Sequence, residues 1–218
     1  MMNKRFAKGL VAAALLSAGF AAQAHQAGDI IVRAGVATVA PNESSQDVAG
    51  LGEFGVSSNT QLGLNFGYMI TDNFGVELLA ATPFSHDVSL KGVGKIAETK
   101  HLPPTLVAQY YFGNSNSKFR PYIGAGVNFT NFFDNHFTKN DAAAPLGLNN
   151  LSIENSWGLA AQIGADYQVN KKWLVNASVW YADIGTDVKF NSTALNADVK
   201  IKTDINPWVY MVSVGYTF

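Results

Sequence analysis

Trp208-Val-Tyr-Met-Val-Ser-Val-Gly-Tyr-Thr-Phe218 closes the chain. Every second residue counted back from the end is apolar or aromatic: Phe218, Tyr216, Val214, Val212, Tyr210, Trp208. The interleaved set, Thr217, Gly215, Ser213, Met211 and Val209, is smaller and mixed. A period of two describes a β-strand with two unlike faces. Soluble strands rarely carry several aromatics on one face and end on a bare Phe. Strands of an outer-membrane barrel do, because one face meets lipid, the other a lumen, and rings gather at both interfaces.

The same alternation recurs upstream, at about 29–40, 60–70, 74–84, 101–112, 119–131, 156–169 and 173–186. The clearest case sets Trp157, Leu159, Ala161, Ile163, Ala165, Tyr167 and Val169 against Gly158, Ala160, Gln162, Gly164, Asp166 and Gln168. Short turns at 71–73, 113–117 and 170–172 alternate with long connections at about 41–59, 85–100, 132–155 and 187–203. Short periplasmic turns and long external loops are the habit of outer-membrane barrels. The sequence therefore predicts an all-β fold, an eight-stranded antiparallel transmembrane β-barrel. A soluble barrel would turn its apolar face inward and its polar face to water. Here the uniformly apolar, ring-bearing face opposes Gly, Asn and Gln, in a lumen too narrow for large side chains.

The N-terminus supplies an address. Lys4, Arg5 and Lys8 precede an apolar run over 9–22, and Ala22-Gln23-Ala24 is a small-x-small cleavage site. This predicts a cleaved signal peptide over 1–24, a single barrel domain over 25–218, and residence in the outer membrane. The run is too short for a spanning helix, which needs about 20 apolar residues. Without residues 1–24 the chain has 12 Lys and Arg against 16 Asp and Glu, an acidic balance that argues against nucleic acid. The absence of Cys excludes a disulfide scaffold and thiolate chemistry.

Parity and distance from the short turns sort the inward residues by height. Arg33, Glu77, Gln109, Asp166, Gln168 and Asn176 fall near the periplasmic end. Unpaired buried charge is very costly, so Arg33 is expected to bridge Glu77 or Asp166, and Arg33, Glu77, Gln109 and Asp166 to form a polar plug. Higher up the inward set is apolar: Ala37, Val39, Leu79, Ala81, Val107, Trp180, Val209 and Met211. Leu79 and Trp180, the bulkiest at mid-height, are expected to form the constriction. Such a lumen suits a hydrophobic solute better than a hydrated ion. Pro83, and Pro103 with Pro104, fall near the outer ends of two strands that are neighbours in sequence. Proline removes a ladder N–H and is excluded from central sheet positions, so a lateral opening toward lipid is expected at Pro83, Pro103 and Pro104.

Several stretches resemble one family: Asn59-Thr-Gln-Leu-Gly-Leu64, Thr71-Asp-Asn-Phe-Gly-Val-Glu-Leu-Leu-Ala-Ala-Thr-Pro-Phe84, His101-Leu-Pro-Pro-Thr105, Arg120-Pro-Tyr-Ile-Gly124, and Asn206-Pro-Trp-Val-Tyr210 with the strand that follows. They look like the OmpW family of outer-membrane proteins, and the resemblance covers essentially the whole chain after residue 24. It implies an eight-stranded barrel with a hydrophobic lumen that admits small hydrophobic molecules, related to alkane-uptake barrel proteins. It also implies a channel narrowed by a Leu and a Trp, which match Leu79 and Trp180. Segment 132–155 matches least.

Enzymatic chemistry finds little support. Ser85-His86-Asp87 cannot converge as a triad, because neighbours on an extended chain point apart. His86, Asp87, His101, Asp134 and His136 fit no metal-ligand spacing and read as solvated loop residues. Gly50-Leu-Gly-Glu-Phe-Gly55 matches a dinucleotide-binding string, but no helix pattern follows it. Phe129, Phe132, Phe133 and Phe137 read as an outer interface girdle in preference to a ligand entrance. No cofactor or metal is expected. The expected partners are the lipid bilayer with lipopolysaccharide, small hydrophobic solutes, and the barrel-assembly machinery acting on the strand that ends in Phe218. Eight strands close within one chain, so a monomer suffices. The leading function is passive passage of small hydrophobic molecules. The alternative is a non-transporting surface barrel whose external loops bind a phage, a bacteriocin or host tissue.

Overall fold

Alternating hydropathy becomes a closed wall in a computed structural model of the chain, which describes residues 25–48, 52–90, 92–139 and 144–218. The segment read as a signal peptide lies outside the described residues. The strands in chain order are β1 (Ile30–Ala40), β2 (Ser44–Ser45), β3 (Phe54–Val56), β4 (Asn59–Met69), β5 (Phe74–Ala81), β6 (Phe84–Leu90), β7 (Gly94–Leu102) and β8 (Thr105–Tyr111). They continue with β9 (Phe119–Phe137), β10 (Leu148–Ile153), β11 (Ser156–Gln168), β12 (Trp173–Ala182), β13 (Gly185–Ser192), β14 (Ala197–Asp204) and β15 (Trp208–Thr217). The barrel is β1, β4, β5, β8, the first half of β9, β11, β12 and β15, each antiparallel to its neighbours. It closes where β15 meets β1, from Ile31 opposite Thr217 to Ala40 opposite Trp208.

The wall faces as its parity requires. Val212, Ile163 and Phe66 expose 68%, 61% and 47% of their surface, whereas Arg33, Asn65 and Glu77 are fully buried inside. In water each exposed large side chain would forgo about 1.5–3 kcal/mol of burial, a loss that acyl chains remove. Rings bound this band at both ends. At the turn end Phe74, Tyr110 and Phe112 pack edge to face where β5 begins and β8 ends, and Trp173 packs against Tyr216 on the other side of the barrel. At the other end Phe129 packs on Trp157 and Tyr181 on Trp208. The chain is an outer-membrane barrel with its apolar wall in the bilayer.

Above the outer rings the structure departs from the expectation of loops. Among the described residues, segments 85–100 and 187–203 are largely strand, and 132–155 contains the end of β9 and β10. β6, β7, the second half of β9 and β3 prolong the barrel wall as one sheet, and β10, β13, β14 and β2 form a second. The physical reason lies in the local pattern. Val188, Phe190 and Ile201 are buried between charged outward neighbours such as Lys189, Lys200 and Lys202. This is the soluble kind of alternation, apolar inside and charged outside, because water replaces lipid beyond the membrane.

Candidate functional site

The lumen is built in three tiers. At the turn end Arg33 lies between both carboxylates that the sequence offered as alternatives. It pairs with Glu77, donates to Asp166 at 2.5 Å, and donates to the Tyr111 hydroxyl at 2.9 Å. Glu77 also accepts from Gln109 at 3.0 Å and from Gln162 at 2.9 Å. Asp166 accepts from Asn176 at 2.7 Å and lies 2.7 Å from His25 Nε2. Each carboxylate thus meets a cation or several donors, which offsets its desolvation. Gln168 instead donates to the Asn170 carbonyl in the turn below.

Two rings complete this tier. Tyr111 and Tyr122 are fully buried and packed 4.8 Å apart, and Tyr122 accepts from Asn176 at 2.9 Å. Gly164 makes room for Tyr122, since a Cβ there would sit 2.4 Å from the ring. Gly164→Ala is expected to displace Tyr122 and destabilise the barrel by about 1–3 kcal/mol, read from its urea midpoint in lipid vesicles.

The middle tier is apolar. Leu79 and Trp180 pack in one cluster with Ala37, Val39, Val107, Val209 and Met211, and Ala81 packs against it. The Trp180 indole donates to Ser178 Oγ at 3.2 Å, which fixes its rotamer. A space of about 500 Å³, counting its open ends, adjoins this cluster. It is lined in part by Leu79, Ala80, Phe84, Pro103, Thr105 and Trp180.

Pro83 lies between β5 and β6, and Pro103-Pro104 between β7 and β8. Pairing of β5 with β8 ends at Leu79 opposite Thr105 and resumes, as β6 with β7, at Phe84 opposite His101. Residues 80–83 and 102–104 are left unpaired with each other across this seam. Their other flanks stay bonded. Thr82 N–H donates to the Leu62 carbonyl and Phe129 N–H to the Pro104 carbonyl, each at 3.0 Å. Asn128 Nδ2 donates to Thr105 Oγ1 at 2.8 Å and to the Pro103 carbonyl at 3.3 Å, so polar groups freed at the seam are partly satisfied from β9.

The outer tier is an apolar cavity of about 1070 Å³, counting its mouth, walled by both outer sheets. His86 and His101, read as solvated loop residues, are buried in its wall instead, at 2% and 5% exposure. Their rings stack at 4.8 Å, flanked by Phe84 and Phe132. They lie above the outer rings, on β6 and β7. Burial beside His86 pushes the His101 imidazole down to about 3, and burial also lowers His86, so both are neutral near pH 7. Ser85 and Asp87 point away from His86, and Asp134 and His136 lie on the outside, where Lys100 donates to Asp134 at 2.6 Å. The wall therefore separates the residues weighed as a triad or a metal site. The girdle reading of the phenylalanines holds for Phe129, whereas Phe132 and Phe137 turn inward and line the cavity. Strand parity separates Phe132 from Phe129, and a register shift at Asp134, whose φ is 54°, turns Phe137 inward although it shares the parity of Phe129.

A sequence model of the OmpW family matches residues 26–218. The chain belongs to the OmpW family. Outer membrane protein W of Escherichia coli is 51% identical over 218 residues, with both chains covered in full. The crystal structure of the outer membrane protein OprG from Pseudomonas aeruginosa superposes with a TM-score of 0.83 at 47% identity, over 90% of this chain and 98% of that one. A more distant relative, 28% identical over 173 residues, is the dibenzothiophene metabolism operon protein PahQ of Pseudomonas aeruginosa. It is matched over 75% of its length by 77% of this chain.

In this OmpW-family barrel the sequence reading missed several lumen groups. Tyr111, Tyr122 and Gln162 have inward parity and were legible as lumen residues, though not as members of the turn-end network. His25 left no such signal, since it precedes the first strand; Arg120 shares the inward parity of Tyr122, but its bond to the His25 carbonyl at 3.1 Å arises only in the tertiary fold.

Proposed function

We propose that this barrel passes small hydrophobic molecules from outside into the outer membrane through an apolar path that ends at a lateral exit. The observation that carries this reading is that the two apolar spaces adjoin along the barrel. Both are lined by His101, Ile184 and Pro207, and the lower one reaches Ala80 and Pro103 on the two sides of the unpaired seam. Leu79 and Trp180 narrow the path. The Arg33, Glu77, Gln109 and Asp166 network blocks the periplasmic end, because a solute without hydrogen-bonding groups could displace it only by leaving buried charges unpaired. A hydrophobic solute therefore loses least by leaving sideways into acyl chains. Membership of PahQ in a dibenzothiophene metabolism operon supports an apolar cargo, since dibenzothiophene is an uncharged polycyclic aromatic. A purely structural barrel with receptor loops would have no use for an unfilled apolar tier above its polar one.

Replacing Pro103 and Pro104 with Val restores two ladder N–H groups and should zip the seam. Uptake of a fluorescent apolar solute into vesicles carrying the double variant is expected to fall at least several-fold, with the barrel still folded. Uptake at the wild-type rate would exclude the lateral exit.

A further inference from the structure

The outer cavity is apolar but not featureless. Among the described residues no Asp, Glu, Lys or Arg lines it, so it has nothing to neutralise a charged guest. Most hydroxyls in its wall are turned away from the space. Thr99 donates to Asn135, Thr130 to Asn128, Thr186 to the Glu154 carbonyl and Ser192 to the Leu146 carbonyl. Two buried polar atoms of the lining, His86 Nε2 and Thr203 Oγ1, have no partner among the described residues.

The His86 ring explains which kind of group its free atom wants. Nδ1 lies 2.5 Å from the Ser57 carbonyl, which can only accept, so the proton of the neutral ring sits on Nδ1. One face of the ring is covered by His101. The edge left over carries Nε2, a bare lone pair in an apolar wall. A buried acceptor without a donor is unfavourable, and a guest that supplies the donor removes that penalty on binding. Thr203 stands on β14, in the other sheet that walls the cavity, and its hydroxyl can donate in turn.

We propose that the outer cavity is a binding site for an uncharged apolar molecule carrying one hydroxyl, an alcohol or a phenol. Its O–H donates to His86 Nε2, and Thr203 Oγ1 on the other sheet is the second unpartnered wall atom that a guest oxygen can meet. This deepens the channel reading and rests on it, since it names the solute class that the apolar path selects at its entrance. Carboxylates and amines, which would enter charged, are excluded by the uncharged lining.

The test uses the full barrel in lipid vesicles and two probes of nearly the same shape, naphthalene and 2-naphthol. Binding of each is measured by partition and scored against protein-free vesicles. The wild-type barrel should prefer 2-naphthol by about tenfold, the usual worth of one hydrogen bond to an otherwise unpaired buried group. His86→Phe keeps a ring in the stack and should bring the preference close to one. His86→Phe also leaves the Ser57 carbonyl without its donor, so Thr203→Val, which exchanges a hydroxyl for a methyl of similar size, provides a second arm and should lower the preference part-way. Naphthalene bound as well as 2-naphthol by the wild type, or a preference unchanged in both variants, overturns the hydroxyl site and leaves the channel standing. Failure of both probes to bind above protein-free vesicles overturns the two together.

Discussion

Arg33→Leu should cost the barrel about 3–5 kcal/mol of unfolding free energy, the usual penalty for breaking a buried ion pair from one side. Arg33 is fully buried and touches both Glu77 and Asp166. Removing it leaves two carboxylates in a closed space with amide donors and His25, but without the guanidinium that balanced them. Urea unfolding in lipid vesicles, followed by tryptophan fluorescence, reads the loss directly. A companion variant separates charge from packing. Adding Glu77→Gln and Asp166→Asn to Arg33→Leu removes the uncompensated charges and should recover most of the stability. If Arg33→Leu alone unfolds at the wild-type urea concentration, the carboxylates do not depend on Arg33, and the network is not the closed electrostatic unit described above.

Trp180→Ala should widen the lumen at the proposed constriction. Trp180 is 2% exposed and shares its cluster with Leu79, Val39, Val107 and Val209, so its removal leaves a void that these small neighbours cannot fill. Single-channel currents are expected to rise, and apolar solute should cross faster. A stability cost of about 3–5 kcal/mol accompanies the gain, as for other buried Trp→Ala changes. The rise in current will be limited by the Arg33 network in series below. Currents equal to wild type would mean that Trp180 does not set the bore.

The legible parts of this protein share one property: they depend on a period of two. Strand positions, the outward direction of Phe66, Ile163 and Val212, and the inward direction of Leu79 and Trp180 all follow from counting alternate residues between turns. That count fails where lipid gives way to water. Segments such as 187–203 keep the alternation but invert its chemistry, with Val188, Phe190 and Ile201 inside and lysines outside. Read against a membrane-spanning pattern they looked like loops. The same inversion hides His86 and His101, whose polar neighbours in the sequence carry the signature of a solvated loop. Phe132 and Phe137 were misplaced for a related reason, since they lie on a strand that outruns the bilayer.

The amino-acid sequence by itself determined the closed antiparallel wall, its lipid-facing side and the ordering of the lumen from charged to apolar, because alternation and turn spacing are local properties of the chain. Which groups meet across the lumen was decided by the tertiary structure alone. Arg33 reaches Asp166 across 133 positions of sequence, and His25 reaches the same carboxylate across 141. Local pattern can place a side chain on a face and at a height, but its partner depends on curvature, register and closure, which exist only once all eight strands are joined.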